Sequence, residues 1–281
     1  MKKLFCLEVV AATEDVDRVT GILALNVSFG WEEEALPGGE TRFLVHCEQE
    51  AFIRELLGSI RQALPHAQCT LTEQEAQDWM SAWRQFFTPV FCGRRFVVLP
   101  PWLANSGEYA DRTVVLIEPK SAFGTGHHAT TALCLRVLSD LLDSGRVLAG
   151  QRFLDLGTGS GVLAIACCKS GLEGDGYDID PLAIDNAREN RTLNKVAGLT
   201  LGIGSVDELQ GQYDLVLANI LAAPLKDMAF LLVAKCKPKA CLVLSGLLVT
   251  QADDVEAAYM AQGLASARRV VDGEWCALVW Q

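Results

Sequence analysis

The feature that most constrains the fold of this chain is a glycine-rich turn at residues 152–161. Its sequence is RFLDLGTGSG, an apolar run that ends in Asp155 before the glycines, and Val162 to Cys168 then has the composition of a buried helix. A strand, a glycine turn and a helix in this order open a nucleotide-binding βαβ unit. Glycine permits the tight turn and lets a ligand lie against the backbone. We therefore predict a cofactor site that includes the three glycines of the turn: Gly157, Gly159 and Gly161.

The acid in this turn indicates which ligand the turn holds. Turns that cradle pyrophosphate present bare N–H groups at a helix N-terminus, and a carboxylate beside them repels phosphate. A cationic ligand is attracted instead. S-adenosylmethionine carries a sulfonium and an ammonium but no phosphate, so the turn fits it better than a dinucleotide. We predict S-adenosylmethionine as the cofactor, with Asp155 among the residues that bind it.

From the glycine turn onward, predicted strands and helices alternate. Strands are expected at 153–156, 174–179, 199–203, 213–218 and 240–245, with helices at 161–169, 181–192, 224–235 and 251–262. This alternation predicts a doubly wound, Rossmann-like α/β sheet with right-handed crossovers. The last two strands, 267–271 and 274–280, flank Asp272-Gly273, a strong hairpin signal. An antiparallel hairpin at the sheet edge favours a class I methyltransferase over a simple dinucleotide fold, which continues with parallel strands.

Polar side chains follow the carboxyl ends of the predicted strands, where ligands of open α/β sheets bind. Asp178 ends the second strand, and an acid there accepts hydrogen bonds from both ribose hydroxyls of an adenosine. We include it, with its neighbour Ile179, in the cofactor site, whereas Asp180 is placed to cap the next helix. Asp207 follows the third strand, near the expected adenine edge. It is predicted to accept from the exocyclic amine, and a solvated loop acid explains it equally well.

Asn219 ends the fourth strand and is the predicted catalytic residue, at the edge of the cofactor site. Its amide oxygen can hold an amine with the nitrogen lone pair aimed at the activated methyl. Methyl transfer is an in-line displacement without a covalent intermediate, so catalysis is expected from positioning and desolvation. An acceptor carbonyl and a site that disfavours charge help an amine with a pKa of about 10.4 to lose its proton. A turn or helix cap before Pro224 is the alternative role.

A second loop rich in glycine and histidine precedes a helix at residues 122–131, AFGTGHHATT. Thr130 or Thr131 alone would suffice as a helix cap. The density of glycine, histidine and threonine exceeds what a cap needs, and we predict a ligand-facing loop. The two histidines have no third ligand nearby in the sequence, so no metal is expected.

The chain before the glycine turn contains a second predicted domain. Strands at 3–10, 27–31, 41–47 and 66–72, with helices at 14–25 and 50–64, give the order βαββαβ of a ferredoxin-like sandwich. We assign residues 1–75 to a small α+β substrate-recognition domain, with a purely structural appendage as the alternative. Residues 76–95 are predicted to be a linker helix and connector, and residues 96–281 the methyltransferase domain.

Composition narrows the class of protein and its partners. No apolar run is long enough to span a membrane and no signal peptide is recognisable, so we expect a cytoplasmic protein. The ten cysteines form no C-x-x-C pair, which indicates reduced, buried thiols rather than a metal site. A net charge of −11 is poorly suited to gripping phosphate backbones and favours a basic partner, or serves solubility alone. A monomer is expected.

Five stretches of the sequence together resemble the PrmA family of methyltransferases. They are FGTGHHATT (123–131), LDLGTGSGVLAIA (154–166), DIDPLAI (178–184), ANILAAPL (218–225) and GEWCAL (273–278). The resemblance runs from about Trp79 to the C-terminus, and it departs from the family at Ala223, where glycine is usual.

The resemblance implies S-adenosylmethionine as methyl donor and methylation of lysine and N-terminal amines of ribosomal protein L11. It also implies an N-terminal domain that captures this substrate on a flexible linker. By motif position, Asn219 would lie at the transferring methyl, and four residues would line the cofactor site: Phe123, Gly124, Thr125 and Thr130. Two alternatives remain, a methyltransferase of the same fold with another protein lysine or a small molecule as substrate, and a non-catalytic cofactor-binding protein.

Overall fold

A computed structural model describes residues 3–27, 30–36, 39–47, 49–75, 88–104, 108–118 and 128–281. The chain divides into two compact units, Met1–Phe87 and Thr88–Gln281. The predicted linker at 76–95 falls partly outside the described residues, at 76–87. Its remainder lies in the second unit and contains a short strand.

The first unit has the predicted order of elements. It consists of β1 (Lys3–Ala12), α1 (Val16–Asn26), β2 (Glu32–Ala35), β3 (Glu40–Cys47), α2 (Glu50–Ala63) and β4 (Gln68–Glu75). The strands form an antiparallel sheet in the order β2-β3-β1-β4. Apolar residues spaced three and four apart on α2, namely Ile53, Leu56 and Ile60, are buried in its core. This arrangement fits the predicted ferredoxin-like sandwich.

Two boundaries in the first unit differ from the prediction. The second strand lies at Glu32–Ala35 rather than at the predicted 27–31. All four of its residues are exposed, so the sequence contains no apolar alternation from which this position could be predicted. Val27 instead ends α1, and its N–H donates to the Leu23 carbonyl at 2.7 Å. The fourth strand, predicted at 66–72, lies at Gln68–Glu75 and so extends to the residue before the predicted linker.

The second unit begins with a small sheet and a long helix. Strands β5 (Val90–Cys92), β6 (Phe96–Leu99) and β7 (Thr113–Leu116) pair in sequence order, and α3 (Ala129–Asp143) follows. One face of α3 is buried through Cys134, Val137, Leu138 and Leu141, the residues that its apolar spacing predicts.

The centre of the second unit is a seven-stranded sheet. Its strands are β8 (Arg152–Leu156), β9 (Glu173–Asp178), β10 (Leu199–Ile203), β11 (Tyr213–Asn219), β12 (Cys236–Leu248), β13 (Arg268–Asp272) and β14 (Trp275–Trp280). They lie in the order β10-β9-β8-β11-β12-β14-β13. The first five are parallel, and the final hairpin is antiparallel. This confirms the predicted doubly wound sheet with its antiparallel C-terminal hairpin.

Helices cover both faces of this sheet. They are α4 (Val162–Lys169), α5 (Pro181–Leu193), α6 (Ala222–Asp227), α7 (Ala229–Ala234) and α8 (Ala252–Met260). Successive strand residues enter opposite cores: Phe153 packs on the side of α3 and α4, and Leu154 on the side of α6 to α8. The strand order reverses next to β8, so β8 and β11 border the switch point where ligands of such sheets bind.

The helix predicted at 224–235 is two short helices. It begins at Ala222 rather than Pro224, because the first turn of a helix tolerates a residue without an N–H and the proline lies within that turn. The backbone leaves the helical conformation at Met228, which separates α6 from α7. Among the described residues, no helix has the length and apolar character needed to cross a membrane.

Candidate active site

The glycine turn after β8 adopts the conformation that its sequence predicts. Gly157, Gly159 and Gly161 have φ values of +72°, +55° and +81°. The N–H groups of Gly157 and Thr158 both donate to the Tyr177 carbonyl, at 2.8 and 3.0 Å, and fasten the turn to β9. A Cβ on Gly157 would lie 2.2 Å from Cγ2 of the neighbouring Ile220 side chain. This position therefore requires glycine both for its conformation and for its space.

Asp155, the acid that precedes the glycines, is buried against the turn. Asp155 is 1% exposed, and its Oδ2 accepts hydrogen bonds from the Thr158 hydroxyl (2.7 Å) and the Ala164 N–H (3.1 Å). Burial raises the pKa of Asp155 to about 6, although these two hydrogen bonds oppose the shift; the nearby Asp178 carboxylate raises it further. Its second oxygen, Oδ1, is buried without a hydrogen-bond partner among the described residues. Asp155 thus holds the turn with one oxygen and leaves the other unpaired.

The predicted adenosine-binding residues lie at the ends of β9 and β10. Asp178 Oδ2 accepts from the Gly159 N–H at 2.9 Å, so the acid touches the glycine turn directly. Asp180 caps α5 as predicted, since its side chain accepts from the Leu182 N–H at 2.9 Å. Ile179 is 76% exposed, and Asp207 is exposed in a short 3-10 turn.

A cavity of about 300 Å³ adjoins the end of β11. Seven residues line it: His128, Thr130, Asn219, Ile220, Leu221, Gly246 and Trp275. The Asn219 side chain donates from Nδ2 to Thr131 Oγ1 at 3.2 Å. Its Oδ1 is buried and has no hydrogen-bond partner among the described residues. A single unpaired acceptor thus lies on an amide beside a largely apolar cavity.

His128 and Trp275 form the aromatic part of this cavity. Their ring centroids are 4.7 Å apart, with the edge of one ring against the face of the other. His128 is also the N-cap of α3, since its Nδ1 accepts from the Thr130 N–H at 3.4 Å and lies 2.7 Å from the Thr130 hydroxyl. The capping role considered as the alternative for Thr130 or Thr131 is filled by His128, which precedes them and accepts from the Thr130 N–H. The predicted cofactor residues Phe123, Gly124 and Thr125 lie outside the described residues.

An asparagine ladder on α5 links two loops at this end of the sheet. Asn190 Nδ2 donates to the Ser160 carbonyl in the glycine turn, and its Oδ1 accepts from the Glu118 N–H just after β7, both at 2.9 Å. One turn later, Asn194 Oδ1 accepts from the Leu116 N–H, also at 2.9 Å. Asn190 thereby joins Glu118 to the glycine turn, and Asn194 holds the end of β7. These contacts were not predicted from the sequence, although the spacing of four between the two asparagines was a visible signal.

Metal-binding side chains are scattered over the part of the chain that the structure describes. No cluster of three or more metal-binding side chains occurs among those residues. All ten cysteines are free. Burial raises the pKa of Cys134, which lies on α3 behind the cavity, to about 12, so its thiol stays protonated at neutral pH. The cavity itself is lined by polar side chains, among them Thr130 and Asn219, and by apolar groups.

Relatives of the chain share one description. The family of ribosomal protein L11 methyltransferases (PrmA) matches residues 27–281. The ribosomal protein L11 methyltransferase of Geobacter metallireducens is 42% identical over 231 residues, 82% of this chain and 74% of the relative. That of Myxococcus xanthus is 36% identical over 271 residues, 94% of this chain and 91% of the relative. The chain belongs to the PrmA family.

A solved structure agrees with this membership. The crystal structure of a ribosomal protein L11 methylase from Lactobacillus delbrueckii subsp. bulgaricus is similar to this protein, with a TM-score of 0.62 and 27% identity. The match covers 69% of this chain and 97% of that chain. The family match also begins at residue 27, so it includes most of the first unit as well as the PrmA motifs. The resemblance and the methyltransferase class predicted from the sequence are confirmed.

The close contact at Gly157 yields a prediction about stability. We expect Gly157→Ala to lower the free energy of unfolding by roughly 2–5 kcal/mol, because the new Cβ meets Ile220 and also occupies a left-handed backbone. Gly145→Ala is the matched control: its φ is +69°, and nothing lies within 4 Å of the added Cβ. That variant should lose only about 1–2 kcal/mol. Urea unfolding of both variants measures the difference, and equal losses would refute the steric argument.

The buried acid yields a second prediction. The pKa of Asp155 is raised in the folded state, so the protein is most stable when this carboxyl is protonated. That stability is fully present below about pH 4 and is lost as the pH rises through about 6. Asp155→Asn stays neutral, and we expect it to be more stable than the wild type at pH 7.5 by about 2–3 kcal/mol. The advantage should shrink towards pH 4.5.

Urea unfolding without added ligand at both pH values tests this prediction for Asp155→Asn. The control is Asp140→Asn, which removes the same charge from the exposed side of α3. An advantage of Asp155→Asn that does not change with pH would contradict the assigned cause.

Proposed function

We propose that this protein transfers methyl groups from S-adenosylmethionine to lysine and N-terminal amines of ribosomal protein L11. The observation that carries the proposal is the unpaired, buried Oδ1 of Asn219 at the wall of the cavity. Asn219 is the last residue of β11, which pairs with β8, the strand that leads into the glycine turn. Family membership supplies the reaction class, and the unpaired acceptor is suited to the amine that such a reaction uses.

The residues around the glycine turn fit S-adenosylmethionine. Gly157, Gly159 and Gly161 provide three positions of the turn without a Cβ, and Asp155 Oδ1 offers an acceptor that has no partner among the described residues for a cationic group. Asp178 is held against the turn by Gly159 and would accept from the ribose hydroxyls. We propose that Ile179 covers the adenine ring and that Asp207 accepts from its amine. Thr130 at the cavity, with Phe123, Gly124 and Thr125, completes the proposed cofactor site.

The proposed mechanism depends on where the acceptor amine is held. The bound cofactor would supply a methyl group on a sulfonium, and no covalent enzyme intermediate is needed. Asn219 Oδ1 accepts a hydrogen bond from an N–H of the incoming amine and so directs the nitrogen lone pair away from itself. The cavity walls, which include Ile220 and Trp275, exclude water and disfavour the ammonium form. The amine is thereby kept neutral and oriented, which is what an in-line displacement requires.

We propose that residues 1–75 recognise the protein substrate. The outer strand β2 presents Glu32, Glu33 and Glu34 to solvent at the edge of the sheet. A ribosomal protein that binds RNA carries a basic surface, and an acidic edge complements it. Charged edge strands also protect a sheet from pairing with other chains, which is the competing explanation. We further propose that a monomer acts in the cytoplasm, and that no nucleic acid takes part.

The first test of this function measures methyl transfer. Wild-type protein with labelled S-adenosylmethionine should label purified ribosomal protein L11, and L11 should be the labelled product identified by mass in a ribosomal protein fraction. We expect Asn219→Ala to lower kcat by about a hundredfold or more, because the amine loses its fixed partner. The Kd for the cofactor should change less than about twofold.

Each outcome of this test has a distinct meaning. Undiminished transfer by Asn219→Ala would remove that residue from the mechanism. Labelling of a different protein or of a small molecule would show that the substrate is not L11. Cofactor binding without transfer by the wild type would favour a non-catalytic protein.

A charge reversal tests the role of the acidic edge strand. We expect Glu33→Lys to raise the KM for ribosomal protein L11 about fivefold at low salt, because a basic substrate meets one repulsive charge. The kcat and the Kd for the cofactor should not change. Glu55→Lys, on an exposed position of α2, makes the same change in net charge away from the edge. Equal effects of the two substitutions would show that only overall charge matters and would argue against recognition by β2.

A further inference from the structure

We infer that this protein binds the phosphate backbone of single-stranded RNA in a basic tract formed by the end of α4, the start of β7 and the turn between β5 and β6. The tract consists of two adjoining cavities of about 460 and 740 Å³, which share Arg112 and Thr113. Lys169 lines the smaller cavity, and Arg94 and Arg95 line the larger one. Methyl transfer is proposed to need no nucleic acid, so the tract is a second binding surface of the protein.

The tract lies away from the glycine turn. Helix α4 begins beside that turn at Val162, and Lys169 is its last residue, about 10 Å further along the helix axis. Strand β7 begins at Thr113, whereas Glu118, just after its other end, is joined to the turn through Asn190. A ligand in the tract therefore leaves the cofactor end of the sheet open.

Arg112 is held in a fixed position between the two cavities. Its Nη1 donates to the carbonyls of Gly93 (2.9 Å) and Phe96 (3.4 Å), and its guanidinium lies 5.1 Å from the centre of the Phe91 ring. Its Nη2 forms no hydrogen bond among the described residues, and its Nε is 4.0 Å from the exposed carboxylate of Asp111. A guanidinium that is already fixed and still has free N–H groups is suited to a phosphate oxygen.

Two further cations of the tract have no acidic partner. Lys169 and Arg94 form no ion pair within the described part of the chain, whereas Arg95 is paired with Asp143 at 2.6 Å. Burial lowers the pKa of the Lys169 ammonium, because its charge is partly removed from water. A lysine in the last turn of a helix is favoured by the helix dipole, which explains Lys169 alone. It does not explain why Arg94 and Arg112 lie beside it.

An exposed aromatic ring adjoins these cations. Phe91 is 57% exposed, and its ring centroid is 5.9 Å from that of Tyr109, which lines the smaller cavity. In proteins that bind single strands, bases stack on aromatic rings while cations follow the phosphates. An acidic protein segment would use the cations but has no need of the ring, and a single phosphate would not occupy both cavities. A single strand of RNA accounts for the charge, the ring and the length.

The net charge of −11 does not prevent this binding. Exposed charges that are further apart than about 10 Å, the Debye length at 0.1 M salt, are largely screened from each other. The local balance therefore decides. More cations than acids line the tract, and its acids are Asp111 and Asp143 in the larger cavity. Binding should be weak, dependent on salt and nearly independent of base sequence.

Fluorescence anisotropy with a labelled oligouridine of about 12 nucleotides tests the inference on the full chain. At about 50 mM salt we expect a Kd in the range of about 1–100 µM. The slope of log Kd against log salt should be about 2, which corresponds to about three phosphate contacts. An oligocytidine of the same length should bind within about threefold, since no base edge is read.

Substitutions separate the charges from the ring. Lys169→Gln and Arg94→Gln should each raise the Kd for oligouridine about threefold or more and lower the salt slope by about 0.7. Phe91→Leu should raise the Kd about fivefold without changing the slope, because it removes a stacking surface and no charge.

The matched control is Lys239→Gln, which removes the same charge from an exposed lysine of β12 outside the tract. It should change the Kd for oligouridine less than about 1.5-fold. The Kd for S-adenosylmethionine should stay within about twofold of the wild type in every variant. Thermal unfolding identifies a variant that has lost its fold, and the other two tract variants then supply the answer.

Several results would overturn the inference. One is a wild-type protein that shows no salt-dependent binding of oligouridine. Equal effects of Lys239→Gln and Lys169→Gln would show that only overall charge matters. Uridine monophosphate that binds as tightly as oligouridine would indicate a site for one phosphate, and polyglutamate that competes equally well would indicate an acidic protein partner. Methyl transfer to ribosomal protein L11 is measured without RNA, so either proposal can fail while the other stands.

Discussion

The candidate site depends on the buried carboxylate of Asp155 and on the hydrogen bonds that it accepts. It joins the glycine turn, through the Thr158 hydroxyl, to the first turn of α4, through the Ala164 N–H. A group buried this deeply is expensive to keep charged, which is why its pKa rises to about 6. The protein nevertheless places a second acid, Asp178, against the same turn. The carboxylates of Asp155 and Asp178 therefore both lie at the glycine turn, and their negative charge is suited to a cationic ligand.

The structure gives Asp155 a second role besides the predicted contact with a ligand. The sequence indicated an acid beside the ligand, and the structure shows that one of its oxygens is used to hold the protein's own turn. Among the described residues, the buried side-chain oxygens without a hydrogen-bond partner belong to Asp155 and Asn219, near the ends of the adjacent strands β8 and β11. A buried acceptor without a partner costs about 1–3 kcal/mol, so neither is explained by stability. A cationic donor molecule and a neutral amine would satisfy one acceptor each.

Much of the second unit could be predicted because its local signals agree with one another. Alternating strands and helices, the glycine turn, the Asp180 cap and the Asp272-Gly273 hairpin all indicated the same sheet. Elements without such signals were misplaced. Strand β2 is formed by exposed glutamates, and α6 begins before Pro224 because a helix tolerates proline in its first turn. Boundaries therefore failed where no apolar alternation marks a strand and where proline lies within the first turn of a helix rather than at its first residue.

The site shows a different limit of prediction. Asn219 was predictable from its place at the end of a strand, because the position alone indicates proximity to ligand. Its partner Thr131 and the Asn190 ladder were not, because each acts through a contact between elements far apart in sequence. Asn190 binds the glycine turn and the chain after β7 with opposite ends of one amide. Because a carbonyl only accepts and an N–H only donates, these two partners determine the orientation of the Asn190 amide. Thr131 Oγ1 contacts the Asn219 amide in a similar way across two elements. Such pairs are satisfied only when the tertiary structure is complete, and this makes the geometry of the site a property of the whole sheet and its covering helices.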